Sequence, residues 1–360
     1  MMRCVTLREL PKPPIGKTGW PWTEDSPQLP DTMSDPLTTL RTPGSPWRRV
    51  SIVTPSYNQG QFIEEAIRSV LLQGYPDLEY IIIDGCSTDG SVDIIRKYEP
   101  WLAYWVSEPD RGQSHAINKG LEKSTGQLFN WHNSDDVLTP NSLATTVTAI
   151  VNHPEASYVY GYVIFIDSQS YVLSHTDNHP LLRGKSGFIL PTTWSVANLK
   201  GGRQPGCLMD RALVARLGGV DENLYYAMDV DLTLRLALIR PSFYIHYPVV
   251  YFRMHPRSKS CSKYAERAED RLYIARKLFQ RRDLPPEINE LRSQAFATAH
   301  SFALINYVEA KMYSAALWHF LQNVVYSVHK ARRVARAIPY LLDVLCRFRN
   351  QIRRFLSSKD

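Results

Sequence analysis

The sequence predicts an α/β protein: a mixed, largely parallel Rossmann-like sheet flanked by helices, with a proline-rich arm before it and a helical extension after it. Three observations predict this class. β-Branched runs alternate with amphipathic segments from residue 50 onward, which is the pattern of strands joined by helical crossovers. A polar cluster closes each of the first four runs, where such sheets bind ligands. Beyond residue 262 the pattern is helical to the end.

A chain of 360 residues with 44% hydrophobic and 21% charged residues can bury a large core, which excludes general disorder. The formal charge of +7 is too small and too dispersed to indicate nucleic-acid binding. Five scattered cysteines, with no CxxC pair, indicate neither a disulfide framework nor a zinc site. Together with the lack of a 20-residue apolar run or a signal pattern, this predicts a cytoplasmic protein.

Residues 1–49, in "LPKPPIGKTGWPWTEDSPQLP", follow neither the strand nor the helix period and predict an extended arm; Trp20 and Trp22 predict that it packs on the main domain. Val50–Thr54 is a β-branched run that Pro55 is expected to end, and "QGQFIEEAIRSVLLQ" is a helix pattern. "LEYIIIDG" is a second strand, and "STDGSVDIIRKYEP" a helix with capping residues at its start. "LAYWVSEPD", "GQSHAINKGLEKS" and "QLFNWHNSDD" give a third strand, a third helix and a fourth strand. A helix follows Pro140, then a hairpin from "ASYVYGYVIFID" and "QSYVLSHT" that makes the sheet mixed. "DRALVARLGG" reads as a helix closed by Gly218 and Gly219, "AMDVDLTLRLALI" as another, and "FYIHYPVVYFRMH" as the last strand. Pro285, Pro286 and Pro339 are the expected breaks in the helical remainder. The division expected is 1–49 arm, 50–261 α/β domain and 262–360 helical region. "KARRVARAIPYLLDVLCRFRNQIRRFL" fits either a basic outer face on a packed helix or a helix lying on an anionic membrane, which would make the protein membrane-peripheral.

The four polar clusters, "TPSYN", "DGCSTDG", "EPDRGQS" and "NSDD", should converge on one sheet edge. Two adjacent carboxylates, Asp135 and Asp136, repel each other and are best stabilised by a hard divalent cation such as Mg²⁺ or Mn²⁺, which would in turn hold phosphate. Asp84 stands at a strand tip, where its carboxylate could accept from a nucleobase or a ribose, while Asp89 fits helix capping. No GxGxxG and no GxxxxGK[ST] occurs, so a nicotinamide dehydrogenase and a P-loop enzyme are unsupported.

"VSIVTPSYNQGQFIEEAIRSVLLQGYPDLEYIIIDGCSTDGS", "SEPDRGQS", "INKG" and "NSDD", in this order and spacing across residues 50–256, resemble family 2 glycosyltransferases of the GT-A fold. The resemblance implies a nucleotide-diphosphate-sugar donor, a glycan or lipid-linked acceptor of the kind used in polysaccharide biosynthesis, a divalent metal and inversion at the anomeric carbon. By position it implies Pro55, Tyr57, Asp84 and Arg111 at the nucleotide, Asp135 at the ribose, and Asp136 with His255 at the metal. "GGRQPG" resembles the family's acceptor-side loop, with Gln204 and Pro205, and "YYAMDVDLTLRLA" its second acidic motif, with Met228 and Asp229 at that pair. Asp229 is then the general base, and Asp231 its competitor. The sequence departs from the family at Gly85, where a second acid is common, at His115 in place of Asp, and at Cys86 in place of Gly. Two other readings compete: a metal-dependent nucleotidyltransferase, which should carry a basic glycine-rich loop after the first strand, and a non-catalytic carbohydrate or nucleotide-sugar binder, which needs no base.

Overall fold

The structure, a computed structural model, describes residues 4–26, 47–176, 181–182, 184–190, 195–199, 204–259 and 264–327. It divides into two compact units: Met1–Ile189, Gly201–Asn223 and Arg235–His255 form the first, and Leu190–Lys200, Leu224–Leu234 and Pro256–Asp360 the second. The arm thus belongs to the first unit, and the helical region draws in two segments from inside the expected α/β domain.

The first unit opens with β1 (Val50–Ser56), α1 (Ile63–Leu71), β2 (Leu78–Asp84), α2 (Ser91–Tyr98), β3 (Tyr104–Ser107), α3 (Gln113–Lys123) and β4 (Leu128–Trp131). It continues with β5 (Val137–Leu138), α4 (Ser142–Asn152), the hairpin β6 (Tyr158–Ile166) and β7 (Val172–His175), β8 (Gly187–Ile189), β9 (Leu208–Asp210) and α5 (Arg211–Arg216). α6 (Met228–Ala237) leads to β10 (Ser242–Arg253). Among the described residues, one ten-stranded sheet runs β3-β2-β1-β4-β9-β6-β10-β5, with β7 on β6 and β8 on β10. β1 is parallel to β2 and β4, and β2 to β3, while β9 lies antiparallel between β4 and β6. The four predicted strands are therefore consecutive neighbours, and their C-terminal loops share one edge.

β1 does not end at Pro55 but runs one residue further. The ladder explains why a proline is tolerated in a central strand. Val53 O accepts from His132 N on the β4 side and Ser56 O from Gly85 N on the β2 side, so alternate residues face alternate neighbours. Pro55 faces β4 beyond the last paired residue, Val53, where no N–H is needed. α5 is closed as expected, by Gly218 and Gly219 at φ +78° and +71°.

The arm docks on this unit. Arg68 of α1 is buried and reaches three of its carbonyls, donating from Nε to Pro21 O (3.0 Å), from Nη1 to Pro11 O (2.9 Å) and from Nη2 to Trp22 O (3.0 Å). Its guanidinium also lies 5.3 Å from the Trp22 ring, and Trp20 Nε1 donates to Leu138 O at 2.7 Å. A buried guanidinium is costly unless its donors are used, so Arg68 holds the arm as firmly as the arm satisfies Arg68.

The second unit is helical: α7 (Tyr264–Arg267), α8 (Asp270–Phe279), α9 (Pro286–Asn289), α10 (Arg292–Glu309) and α11 (Tyr313–Ser327), with Met228–Leu234 of α6. α9 starts at Pro286, the position in a helix that tolerates a missing N–H. Pro339, Cys261, Cys346 and the arginine-rich tail lie outside the described residues. No described helix is long and apolar enough to cross a membrane.

Candidate active site

The loops after β1, β2, β3 and β4 meet at one edge and are laced together by side chains. Asn58 N donates to Ser87 Oγ (2.8 Å) and Thr88 N to Asn58 Oδ1 (2.9 Å), joining the first two loops. Gly60 N donates to Asp89 Oδ2 (2.8 Å), whose Oδ1 accepts from Ser91 Oγ (2.5 Å), so Asp89 organises the start of α2. Gln113 Nε2 donates to Asn133 Oδ1 (2.9 Å), joining the third loop to the fourth. A Cβ on Gly85 would stand 2.8 Å from Asp110 Oδ2, so a side chain here would have to displace the Asp110 carboxylate.

Tyr57 stands exposed on this edge, 63% accessible. Asp84 does not. It is fully buried, Oδ1 accepting from Ser87 Oγ (2.5 Å) and Oδ2 from Ser87 N (2.8 Å) and Ser107 Oγ (2.7 Å), so its carboxylate shapes the turn from within. Arg111 is exposed and pairs with Glu222 through Nη2 at 2.6 Å; burial would raise the Glu222 carboxyl, but bonds from Asn118 and Arg111 outweigh it and hold the group below its ordinary range. Cys86 is exposed in the left-handed region at φ +68°, a conformation that suits the glycine it replaces.

Asp135 and Asp136, alike in sequence, differ in the fold. Asp136 is buried, Oδ1 accepting from Arg253 N and Oδ2 from Asn133 Nδ2, both at 2.9 Å. Burial, and then the neighbouring Asp135 charge, push its carboxyl well above the ordinary range. Asp135 is the open one: its Oδ2 lies 3.1 Å from His255 Nε2, at the end of β10. The ring of Phe62, with its centroid 4.8 Å from that of His255, backs the histidine.

Behind this pair stands Arg253, which reads in the sequence only as a basic residue in the last strand. Buried, it donates from Nε to Asp135 O (2.9 Å), from Nη1 to Asp167 O (3.0 Å) and Ser170 Oγ (2.9 Å), and from Nη2 to Glu65 Oε2 (2.9 Å). His132 is buried beside it, with Nε2 3.0 Å from Asp136 O. A carbonyl only accepts, so the Nε2–H tautomer is the one present, leaving Nδ1 buried without a partner among the described residues. Burial lowers this imidazole to about 4, and it is neutral at ordinary pH.

A cation was expected on Asp136 and His255. Asp136 is buried with each oxygen already accepting a hydrogen bond, whereas Oδ2 of the half-buried Asp135 and Nε2 of His255 are bonded only to each other among the described residues, a contact that a cation between them would replace. Two ligands about 2.1 Å from an octahedral ion and at right angles to it stand roughly 3 Å apart, close to the separation seen. The carboxylate oxygen suits either Mn²⁺ or Mg²⁺, and the imidazole nitrogen favours Mn²⁺ of the two, with the shell completed by substrate oxygens. No group of three or more His, Cys, Asp or Glu arranged for a metal occurs among the described residues, so the protein would supply only part of the shell.

Gln204 is buried and donates from Nε2 to Trp131 O and, at 3.3 Å, to Asn130 Oδ1, fixing the end of its loop against β4; Pro205 is half-buried. Gly201, Gly202 and Arg203 of that loop lie outside the described residues. In the second unit, Asp229 is the second residue of α6 and half-buried. Desolvation raises its carboxyl against the pull of Arg271. Asp231 is buried against Lys277, 3.0 Å from its Nζ, which commits it to an ion pair. Asp270 accepts from Tyr226 N (3.0 Å) and Ala227 N (2.9 Å), anchoring the approach to α6.

Residues 51–211 match the family model described as glycosyl transferase family 2. An uncharacterized glycosyltransferase of Mycobacterium tuberculosis is 30% identical over 201 residues, spanning 53% of this chain and 69% of the relative. The chain belongs to glycosyl transferase family 2. It is a glycosyltransferase, and a teichuronic acid biosynthesis glycosyltransferase named as putative, TuaG of Bacillus subtilis, is 36% identical over 31% of this chain and 46% of its own. Among solved structures, S. aureus TarS in complex with UDP-GlcNAc aligns with TM-score 0.54 at 15% identity over 77% of this chain and 91% of its own. The Pyrobaculum calidifontis mannosyltransferase in complex with GDP-Man and Mn²⁺ aligns with TM-score 0.53 at 21% identity over 83% and 84%. These likenesses establish the GT-A fold that the motif resemblance implied.

Proposed function

We propose that this family 2 enzyme moves a sugar from a nucleotide-diphosphate donor to an acceptor hydroxyl with inversion, in a cytoplasmic setting, and that Asp135 and His255, not Asp136, hold its divalent cation. The observation that carries the reading is the 3.1 Å approach of Asp135 Oδ2 to His255 Nε2 at the edge where four strand-end loops meet. The cation, when bound, would offset charge growing on the departing diphosphate. Asp136 then acts from behind, holding the Asp135 backbone through the Arg253 network. In this reading Tyr57, exposed at the edge, would stack on the base, Pro55 and Asp84 would shape the loops that present it, and Arg111 would meet the nucleotide. Gln204 and Pro205 border the acceptor side.

Asp229 is the base in this reading. Direct displacement needs a carboxylate that can take the acceptor proton, and a group raised by desolvation is better matched to that task than one locked to a lysine as Asp231 is. Family membership favours this reading over a nucleotidyltransferase or a non-catalytic binder.

The test compares three variants under Mn²⁺ titration, following both nucleotide release and sugar transfer. Asp135→Asn should raise the Mn²⁺ requirement at least about tenfold, the scale of losses at metal sites, while leaving thermal stability within about 1 kcal/mol. Asp136→Asn should lower stability more than it shifts metal dependence. Asp229→Asn should cut transfer about 10²- to 10⁴-fold with donor binding kept. An Asp135→Asn enzyme with unchanged Mn²⁺ dependence would refute the assignment.

A further inference from the structure

α11 has no Asp, Glu, Lys or Arg in its fifteen residues, "YSAALWHFLQNVVYS". Its buried side, Ala316, His319, Phe320, Asn323 and Ser327, packs within the second unit. The opposite side is exposed and apolar: Leu317 (39%), Trp318 (48%), Leu321 (54%) and Val325 (64%) repeat at intervals of three and four and so form one continuous stripe. Met312, just before the helix, is exposed as well. Single exposed apolar residues are ordinary, but a stripe without any charge along a solvent-facing helix is not. It would be expected to meet something apolar.

The chain that follows indicates what. After Ser327 the sequence holds nine Lys and Arg against two Asp and Glu, a net of +7, which equals the excess of the whole chain and leaves residues 1–327 balanced. Its basic residues alternate with apolar ones in "KARRVARAIPYLLDVLCRFRNQIRRFL". An apolar stripe carrying a tryptophan, continued by concentrated positive charge, matches a surface with an acyl boundary and anionic headgroups. Nucleic acid would use the charge but not the stripe. A second copy would use the stripe, but placing two segments of +7 together would oppose it.

We infer that the exposed stripe of α11 docks on an anionic lipid surface, with the basic chain beyond it supplying the long-range attraction. The proposal is independent of the catalytic assignments, since it uses none of the residues named in them.

The full-length protein is sedimented with vesicles of phosphatidylcholine alone and of phosphatidylcholine with 30% phosphatidylglycerol, at low and high salt. Binding to the anionic vesicles should exceed that to neutral ones about tenfold or more and weaken with salt, because each basic residue near the surface adds to the attraction and salt screens it. Leu321→Glu/Val325→Glu should lower anionic-vesicle binding about tenfold with the melting temperature unchanged, since both side chains are already in water. Arg332→Gln/Arg333→Gln/Arg336→Gln should reduce the salt dependence. Absence of binding to anionic vesicles overturns the proposal. So does full binding by the glutamate variant, which would leave the stripe without a lipid role. A lower melting temperature in that variant, or conversion of a dimer to a monomer, would show the stripe covered by protein and also overturn it.

Discussion

The same chemical pair, a guanidinium against a glutamate, occurs twice at this sheet edge with opposite meaning. Arg253–Glu65 is 2.9 Å apart with side chains 1% and 8% exposed, and Arg111–Glu222 is 2.6 Å apart with side chains 69% and 30% exposed. The shorter pair is the weaker one. In water the attraction is screened and offset by side-chain ordering, whereas in the interior removing one partner leaves the other charged and unsolvated. The enzyme therefore has a fixed corner behind Asp135 and a replaceable rim in front of it.

The strongest way to break this comparison is Arg253→Met. It strips donors from Asp135 O, Asp167 O, Ser170 Oγ and Glu65 Oε2 together, and breaking one partner of a buried pair costs about 3–5 kcal/mol. Chemical denaturation should show that loss, and Glu65→Met/Arg253→Met should recover part of it because no lone charge stays buried. A single variant within 1 kcal/mol of the parent, by the usual scatter of surface substitutions, would mean the corner is not the anchor it is drawn as.

The next effect is one of pH. His132 is buried with its imidazole lowered to about 4 from the ordinary 6.5, by desolvation first. Below 6.5 the unfolded chain takes up a proton that the folded one refuses, so this contribution is complete above 6.5 and is lost as pH falls toward 4. Its ceiling is on the order of 3 kcal/mol, at about 1.4 kcal/mol per unit. His300, lowered to about 4 by burial and by His319, adds a slope in the same window from the second unit. Denaturant midpoints measured from pH 7 to 4.5 should fall, and His132→Phe should flatten the decline. An unchanged slope would place His132 in contact with water.

On the rim, Arg111→Ala should cost only about 0.2–1 kcal/mol, and less at high salt. A loss of several kcal/mol would erase the distinction between rim and corner.

How much of this could be read beforehand follows the same divide. Of the four parallel strands, β1 and β2 were legible from β-branched runs and β3 and β4 from short aromatic-rich runs, and the loops were legible because polar clusters mark strand ends. β5, β8 and β9 were not: strands of two or three residues have no period, and β9 exists because β4 and β6 each offer it an antiparallel partner. The arm's docking was foreseen from Trp20 and Trp22, but not the buried Arg68 that receives it, since an arginine in an amphipathic helix reads as surface. The division of labour between Asp135 and Asp136 was illegible for the same reason. Two identical neighbours carry one signal, and what separates them is Arg253, 117 residues later in the chain.

The smallest effect tests whether the rim is also looser in its backbone. Cys86 is held at φ +68°, where a side chain crowds the following carbonyl, while its thiol is exposed and makes no hydrogen bond among the described residues. Cys86→Gly relieves that crowding but adds freedom to the unfolded chain, and the two terms should leave a gain on the order of 0.5 kcal/mol. A gain of this size, seen as a small rise in melting temperature with Mn²⁺ dependence unchanged, would show that the turn after Asp84 tolerates strain because the bonds from Ser87 and Ser107 hold it from beneath. A loss instead would mean that the thiol is itself holding the loop, and the rim would then share the rigidity assigned to the corner.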